Sequence, residues 1–298
     1  MSDGGDYQEG GGSPAMGQLI RWAIGLLIAL VGVGMYFFRT EVNPVTGEKQ
    51  RIGMNVDQEK ALGLQAAPQM AKQMGGDIDP RDDERAMMVG QVGRRIVERS
   101  DAGKSPYVGN FHFHLLSDPK TINAFALPGG QVFITQALYS RLQNEAELAG
   151  VLGHEIGHVI ERHSAQQMAT GQLGQLLTLA VGVGASGGDD GGRKAQMAAA
   201  MANQMATLRF SRGDETQADE IGLKYMAEAG YDPQQMLEVM KILKEASGGS
   251  NQPEFLQTHP LPETRLEDIQ RQIKRNYPDG VPSDLTKGRP LGNSSRRE

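Results

Sequence analysis

The chain contains 298 residues, carries a formal net charge of −6 at pH 7 and has no cysteine. This length accommodates one or two domains, and the lack of cysteine excludes disulfides and thiolate zinc ligands. The acidic balance, without a stripe of lysine and arginine, argues against a general nucleic-acid-binding protein. No nucleic acid is therefore expected as a partner.

The first predicted element is a membrane anchor. A glycine-rich tail over residues 1–18, predicted to be disordered, precedes an apolar run over residues 19–38 that contains one charge, at Arg21. The charge-free part would span about 25 Å as a helix, close to the ~30 Å hydrocarbon core of a lipid bilayer. Trp22 and Tyr36 near its ends suit the two interfaces.

We predict a single transmembrane helix. A signal peptide is the alternative, disfavoured by a weakly charged start and by the absence of an A-x-A site after the run. The flanking charges do not determine the orientation of the anchor.

Residues 39–75 are predicted to form a juxtamembrane turn and helix. The sequence NPVTG at residues 43–47 is typical of a turn, and residues 57–74 show helical apolar periodicity. A second amphipathic helix is predicted over residues 82–99. It lies in a proposed catalytic domain that spans residues 76–275.

Short strands are predicted next. Alternation over residues 111–116 indicates a strand with His112 and His114 on its polar face; the pair could bind a metal, but a half-buried strand is the favoured interpretation. Residues 121–135 combine an apolar stretch, a Pro-Gly-Gly turn and a strand, which is a hairpin-like pattern. An edge strand in such a unit can pair with an extended peptide, although burial of the stretch in the core is the alternative. The predicted substrate-binding residues are Asn123, Ala124, Phe125 and Ala126.

The most informative motif is H-E-x-x-H at residues 154–158, within a run of good helix formers. Positions four apart share a helix face, so His154 and His158 can bind one metal ion while Glu155 lies beside its water. Catalytic zinc usually has three protein ligands and a fourth position for water. One Zn²⁺ per chain and one further ligand are therefore expected.

The further ligand is predicted on a helix that begins near Ser211. Glu215 and Asp219 lie four apart on one face of that helix. We assign Glu215 as the third ligand and Asp219 as the carboxylate that accepts the remaining N–H of a zinc-bound histidine. A solvated acidic helix start is the alternative, disfavoured by the histidine motif. His163 lies about 140° around a continuous helix from His158, so it is predicted to be a surface or structural histidine.

Two segments carry less information. Residues 166–208 resemble a helical hairpin inserted between the zinc ligands, with a core helix favoured over a membrane-dipping element for residues 166–185. Residues 276–298 are rich in Pro, Gly and Ser without hydrophobic periodicity and are predicted to be a disordered tail.

Together, four separated motifs resemble the gluzincin zinc metallopeptidases that include the CAAX prenyl endopeptidase and the HtpX-like and Oma-type membrane proteases. The likeness covers residues 54–273, and its motifs are NAFALPGG at 123–130, HEIGH at 154–158, ETQAD at 215–219 and His259-Pro260. The resemblance implies an α+β, mainly helical gluzincin-type domain with a small β-sheet. It also implies zinc-dependent endopeptidase activity, usually at or near a membrane and often in protein quality control.

The resemblance further implies that His259 and Arg265 belong to the catalytic site. In this family a His-Pro element reaches the active site, and Arg265 matches an associated basic position. Both residues could stabilise the oxyanion that forms during peptide hydrolysis. The motif order equally permits His259 to be a fourth zinc ligand that blocks the water position. The sequence leaves these two roles open.

The predicted function is hydrolysis of peptide bonds in protein or peptide substrates, unfolded or membrane-associated. Zinc would lower the pKa of a water from about 15.7 toward ~7, and Glu155 would accept its proton. The alternative is a non-catalytic zinc-binding chaperone or scaffold at the membrane. Glu155 favours the enzyme, because a structural zinc site needs no carboxylate beside an open coordination position.

Overall fold

The structure, a computed structural model, describes residues 14–38, 40–171, 209–247, 253–260 and 263–292. The helical hairpin predicted over residues 166–208 falls outside these ranges beyond residue 171, as do residues 1–13 and 293–298 of the predicted tails. Residues 14–18 of the predicted N-terminal tail belong to the first helix.

The N-terminal helix α1 (Pro14–Phe38) contains the apolar run predicted as an anchor. Within the described ranges it is the one helix long and apolar enough to cross a bilayer. Its apolar stretch is Gly17–Gly34, of which 11% is buried. A signal sequence near the N-terminus would satisfy the same criterion. Large side chains such as Trp22 and Leu26 are exposed along it, as expected for a surface that meets lipid.

A short antiparallel hairpin follows α1. Its strands are β1 (Thr40–Val42) and β2 (Lys49–Arg51), with Thr40 opposite Arg51. In the turn between them, the side-chain oxygen of Asn43 accepts backbone N–H groups from Val45 and Thr46, which is the Asx-turn geometry that asparagine favours.

Two helices and a three-stranded sheet come next. The helices α2 (Val56–Gln73) and α3 (Glu84–Arg99) begin at polar caps, Asn55 and Asp83, and each lies within two residues of its predicted bounds. The strands are β3 (His112–Leu116), β4 (Ala124–Leu127) and β5 (Gln131–Thr135).

The sheet has the order β3-β5-β4, with β3 parallel and β4 antiparallel to β5. Gly129 and Gly130 join β4 to β5 with φ angles of +82° and +108°, a conformation that glycine adopts readily. The β4–β5 unit is the hairpin expected over residues 121–135, and β4 is an edge strand of the sheet.

The remaining helices surround the H-E-x-x-H motif. They are α4 (Gln136–Tyr139), α5 (Glu145–Ile160), a helical segment over residues 163–171, α6 (Arg212–Glu228), α7 (Gln235–Ala246), α8 (Glu254–Thr258) and α9 (Glu263–Asn276). Every residue of α5 is buried, because α3, the sheet, α6 and α7 pack around it. The motif therefore lies on the central helix of a mainly helical domain with a small sheet.

The helices α5 and α6 approach closely through glycines. A Cβ atom on Gly157 would lie 2.9 Å from the backbone oxygen of Ala218, and one on Gly153 would lie 3.2 Å from that of Gly222. A larger side chain at Gly157 would therefore push the two helices apart. This contact brings residues 154–158 and 215–219 together.

Part of the tail predicted to be disordered is hydrogen-bonded to the start of α5. The backbone N–H groups of Glu145 and Ala146 donate to the carbonyls of Arg289 and Lys287, and Leu291 donates to the carbonyl of Gln143. These contacts satisfy N-terminal donors of α5 with backbone acceptors. Pairing through backbone groups does not require apolar periodicity. The sequence of residues 276–298 therefore did not predict this ordered contact.

Candidate active site

The histidines of the H-E-x-x-H motif converge as their spacing predicts. Asn144 caps α5 by accepting the backbone N–H of Glu147, and the two histidines lie four positions apart along the helix. Their Nε2 atoms lie 3.0 Å apart, and both side chains are about 2% exposed or less. His154 and His158 thus present nitrogen donors to one small buried volume.

Glu215 and His259 complete this metal-ligating cluster. One potential ligand atom from each of His154, His158, Glu215 and His259 lies within 4.8 Å of the others, and within the described residues this is the one such group. The Glu215 carboxylate lies 3.6 Å from His154 Nε2 and 3.5 Å from His158 Nε2. Glu215 is directed there by α6, which Ser211 begins with a capping box.

The donor set fits a divalent metal. Four electron-pair donors converge in a site that excludes water, which would be unfavourable without a cation among them. Nitrogen and carboxylate donors in this combination are those that zinc binds in proteins that use no cysteine. The buried His259 Nε2 has no hydrogen-bond partner among the described residues. A bound ion or substrate would supply the partner that a buried polar atom usually has.

Asp219 orients His154. Its Oδ1 atom lies 2.9 Å from His154 Nδ1, so a proton on Nδ1 leaves the Nε2 lone pair directed at the cluster. This is the arrangement expected for the carboxylate behind a metal ligand.

Arg265 lies behind the ligands. Its Nε and Nη2 atoms each donate to Asp219 at 2.8 Å, and Nη1 lies 2.5 Å from Glu215 Oε2. Burial alone would lower the pKa of Arg265, but the two carboxylates outweigh it and raise that pKa. The guanidinium is thus engaged by both carboxylates, whereas the sequence predicted a donor to the oxyanion. The structure gives Arg265 a supporting position instead.

Glu155 is a buried carboxylate beside the metal-ligating cluster. It is 1% exposed, and its Oε1 atom has no hydrogen-bond partner among the described residues. Burial raises the pKa of Glu155 to about 7, although the neighbouring His154 opposes the shift. A bound cation would lower that pKa again. A carboxylate that titrates near neutrality suits proton transfer.

His259 lies between the ligands and the base. Its Nδ1 atom is 2.9 Å from Glu215 Oε1 and 3.3 Å from His154 Nε2, while its Nε2 atom is 3.7 Å from Glu155 Oε1. The ring is fully buried and stacks on Phe255 at 4.4 Å. Of the two predicted roles, this position within the cluster favours a fourth ligand.

Comparison with known proteins identifies the family. Residues 83–273 match the model of Peptidase family M48, which covers the H-E-x-x-H motif, Glu215 and His259. The chain belongs to this family. The predicted gluzincin resemblance and the mainly helical fold are thereby confirmed.

Relatives in family M48 align along most of the chain. It is 31% identical over 297 residues to the beta-barrel assembly-enhancing protease of Escherichia coli (strain K12), covering 94% of this chain and 59% of that protein. It is 31% identical over 266 residues to the mitochondrial metalloendopeptidase OMA1 of Schizosaccharomyces pombe, covering 87% and 75%. The chain therefore spans less than two thirds of the beta-barrel assembly-enhancing protease.

The substrate strand predicted for this M48 chain lies at the sheet edge. Ala124, Phe125 and Ala126 belong to β4, which pairs with β5 on one side and packs against α5. Asn123 is buried just before β4, and its Oδ1 atom has no hydrogen-bond partner among the described residues. The strand is thus adjacent to the helix that carries the metal ligands.

The competing histidine pair lies elsewhere. His114 Nδ1 is 2.6 Å from Asp77 Oδ2, and its ring stacks on Phe133 at 4.6 Å. His112 is exposed on the same strand and is not part of the metal-ligating cluster. The half-buried strand is the interpretation that the contacts favour.

His163 lies closer to His158 than a continuous helix would allow. The prediction assumed that α5 continues, but α5 ends at Ile160 and Arg162 adopts a φ of +58°. This left-handed residue returns His163 to within 2.9 Å of His158, and the side chain of His163 is 1% exposed. It is therefore a buried structural histidine, as one of the two predicted possibilities held, and not a surface one. A non-glycine residue with positive φ has no reliable signal in the sequence.

Proposed function

We propose that this chain is a zinc metalloendopeptidase that cleaves protein substrates in protein quality control. The observation that carries the proposal is the buried convergence of His154, His158 and Glu215 beside Glu155, a buried carboxylate whose Oε1 atom has no hydrogen-bond partner among the described residues. Membership of Peptidase family M48 supports the reaction class. The relatives named as proteases support the same class.

His154, His158 and Glu215 would hold the zinc ion. When bound, zinc supplies a water of lowered pKa and polarises the scissile carbonyl. Asp219 holds His154 in the tautomer that a ligand requires, and Arg265 keeps Asp219 and Glu215 anionic. These contacts prepare a rigid donor set.

Glu155 would move the proton during hydrolysis. It accepts a proton from the attacking water and transfers it to the amine that leaves, as a general base and then a general acid. The strand β4, at the edge of the sheet in the described part of the chain, would bind the substrate backbone in an extended form, because an edge strand can pair with a peptide whatever its side chains. This mode fits unfolded or extended protein segments.

The proposed location is a membrane, with α1 as the anchor. Its length, its apolar composition and its exposed side chains support this placement. Attachment at the bilayer would restrict the peptidase to substrates near the membrane surface.

The decisive experiment compares two variants of the full chain. Glu155→Gln should retain zinc and lose about 10²–10⁴-fold in cleavage of denatured casein, because a positioned base contributes that much. Glu215→Ala should lose most of its zinc. Zinc content by mass spectrometry and casein cleavage are measured on the same samples.

The outcomes separate the two function classes. Activity of Glu155→Gln at the wild-type level would contradict the mechanism. Zinc binding by the wild type, without cleavage of casein or of membrane proteins, would instead support the zinc-binding chaperone or scaffold. Wild-type zinc content in Glu215→Ala would show that another residue is the third ligand.

A further inference from the structure

His158 has a partner on the side of its ring that faces away from the metal-ligating cluster. Its Nδ1 atom lies 2.9 Å from Nδ1 of His163, and both side chains are about 1% exposed. The two rings meet edge to face, with centroids 4.9 Å apart. His163 thus occupies the same place behind His158 that Asp219 occupies behind His154.

The direction of this hydrogen bond follows from two further contacts. Gln217 Nε2 lies 3.0 Å from Glu48 Oε2, and Gln217 Oε1 lies 3.1 Å from His163 Nε2. A carboxylate can only accept, so the amide nitrogen of Gln217 faces Glu48 and its oxygen faces the ring. That oxygen can only accept as well, which puts a proton on His163 Nε2.

The tautomer of His158 is then determined. With Nε2 protonated, the neutral His163 ring presents a lone pair at Nδ1 and accepts the Nδ1 proton of His158. The Nε2 atom of His158 is left with its lone pair directed at the cluster, as zinc binding requires. The hydrogen bonds therefore run in one consistent direction from His158 through His163 and Gln217 to Glu48.

The backbone around His163 is held in place from the juxtamembrane side. Arg162, with its φ of +58°, is buried and donates to Glu59 at 2.9 Å and to Glu41 at 2.9 Å. The β1–β2 hairpin also caps the end of α5, since Asn43 and Gln50 donate their side-chain amides to the carbonyls of Ile160 and Glu161, each at 2.8 Å. The turn that precedes His163 is thus held by the segment after α1, and His163 itself contacts α5 and α6.

We propose that His163 is the positioning residue for His158. It accepts the Nδ1 proton of His158 and so presents His158 Nε2 to the metal, and Gln217, oriented by Glu48 of the hairpin, holds His163 in that role. The inference rests on the zinc site of the proposed function. It adds a chain of hydrogen bonds, through Gln217 and His163, that links Glu48 of the β1–β2 hairpin to His158.

The test compares one variant of residue 163 that keeps a hydrogen-bond acceptor with one that keeps only apolar volume. His163→Asn keeps a short side chain whose amide oxygen can reach the position of Nδ1, whereas His163→Leu keeps apolar volume and loses the acceptor. We expect His163→Leu to weaken zinc binding by ~10–100-fold, as loss of a partner behind a ligand does, and His163→Asn to restore most of that loss. The measurements are the zinc dissociation constant, by competition with a chelator, and the visible spectrum of the Co²⁺-substituted full chain in detergent.

The order of the two variants distinguishes positioning from packing. If His163 only fills space, Leu is the better replacement and the order reverses, which would overturn the proposal. Equal and wild-type zinc affinity in both variants would overturn it as well. Weak zinc binding in the wild type itself would overturn the proposed function, a result separate from any difference between variants.

A variant of Gln217 tests the same chain of hydrogen bonds without changing the buried His163. Gln217 is only partly buried on α6, so Gln217→Leu should fold, and we expect it to weaken zinc binding by about 10-fold, at the lower end of such effects. Thr216→Ala changes an exposed neighbour on the same helix and should bind zinc like the wild type. Equal affinity of Gln217→Leu and Thr216→Ala would remove Gln217 from the proposal.

Discussion

At the scale of single residues, three buried carboxylates of the site are held in different charge states. Burial raises the pKa of Glu155 to about 7. Burial acts in the same direction on Glu215 and Asp219, but contacts with neighbouring side chains outweigh it and hold the pKa of both below the ordinary range. For Glu215 these neighbours include His259 and Arg265, and for Asp219 they are Arg265 and His154. Anionic carboxylates suit metal binding and its support, and one that titrates near pH 7 suits proton transfer. The environments thus separate base from ligand.

The role of His259 can be decided by removing it. In the proposed site His154, His158 and Glu215 hold the zinc, and the Nδ1 atom of His259 lies 2.9 Å from Glu215 Oε1 and 3.3 Å from His154 Nε2. As a fourth ligand, this atom would leave the zinc no place for water. We therefore expect His259→Ala to bind zinc more weakly and to cleave casein with a higher kcat at saturating zinc. Zinc dissociation constants and kcat are to be measured on the same preparation.

The alternative role of His259 gives the opposite result. If His259 donates to the oxyanion, kcat should fall by roughly 10²–10³ while zinc binding and KM change little. Unchanged kcat and unchanged zinc binding would exclude both roles.

At the scale of elements, the contact between α5 and α6 assembles the site. Gly157 is a neighbour of His158 in sequence and touches the α6 backbone, whereas Gly150, two turns earlier, has ordinary room for a methyl group, with its nearest atom at 3.5 Å. Two glycines on one helix therefore face different surroundings. The motif spacing predicted the faces of α5 and α6 but not which glycine makes the contact, because that depends on how two distant segments pack.

Alanine at these two positions should have opposite effects on stability. Gly157→Ala gains helix propensity of about 1 kcal/mol but forces a backbone clash that costs typically 1–3 kcal/mol, so we expect a net loss. Gly150→Ala, the matched control, should be neutral or more stable by up to about 1 kcal/mol. Urea unfolding followed by circular dichroism measures both, and a gain in Gly157→Ala equal to that in Gly150→Ala would contradict the close contact.

Glu161, a buried acid at the end of α5, is hydrogen-bonded to the β1–β2 hairpin. Burial, with the negative charge of Glu48, raises the pKa of Glu161 from 4.5 to about 7. Its Oε2 atom accepts a hydrogen bond from Gln50 at 3.0 Å. Folded protein therefore keeps this proton to a higher pH than the unfolded chain, and between pH 4.5 and about 7 the contribution of Glu161 to stability falls as pH rises.

Glu161→Gln should remove that pH dependence. The amide stays neutral and still offers an oxygen to Gln50, so the variant should match the wild type near pH 4.5. It should become relatively more stable as pH rises to about 7, and the difference should be constant above that pH. Urea midpoints at several pH values test this, with the exposed Glu98→Gln as a control for loss of one negative charge. A difference between Glu161→Gln and wild type that does not change with pH would contradict it.

At the scale of the whole molecule, the sequence predicts which residues share a helix face, but it does not predict contacts between distant segments. The i,i+4 spacings placed His154 with His158 and Glu215 with Asp219 on common helix faces, and the structure brings the two faces together. The turn at Arg162 breaks the helical geometry that the same argument assumed for His163. The contacts of Arg265, and those of the hairpin with the end of α5, join residues about 45 to 120 positions apart, and no periodicity encodes them.

The proposed membrane location of the whole molecule depends on α1, the candidate anchor. Leu26 and Leu30 lie near the middle of α1 and are each 61% exposed, so they would face lipid in a membrane-spanning helix. Arginine near the bilayer centre costs about 2.5–3.5 kcal/mol per residue on insertion scales.

We therefore expect Leu26→Arg with Leu30→Arg to release the protein from carbonate-washed membranes, whereas Leu26→Ala with Leu30→Ala should stay bound. Zinc content of the released protein should match the wild type, because α1 contributes no residue to the metal-ligating cluster. Retention of the double arginine variant in the washed membranes would contradict the anchor. A mature wild-type protein whose first residue lies beyond residue 38 would identify α1 as a cleaved signal peptide instead.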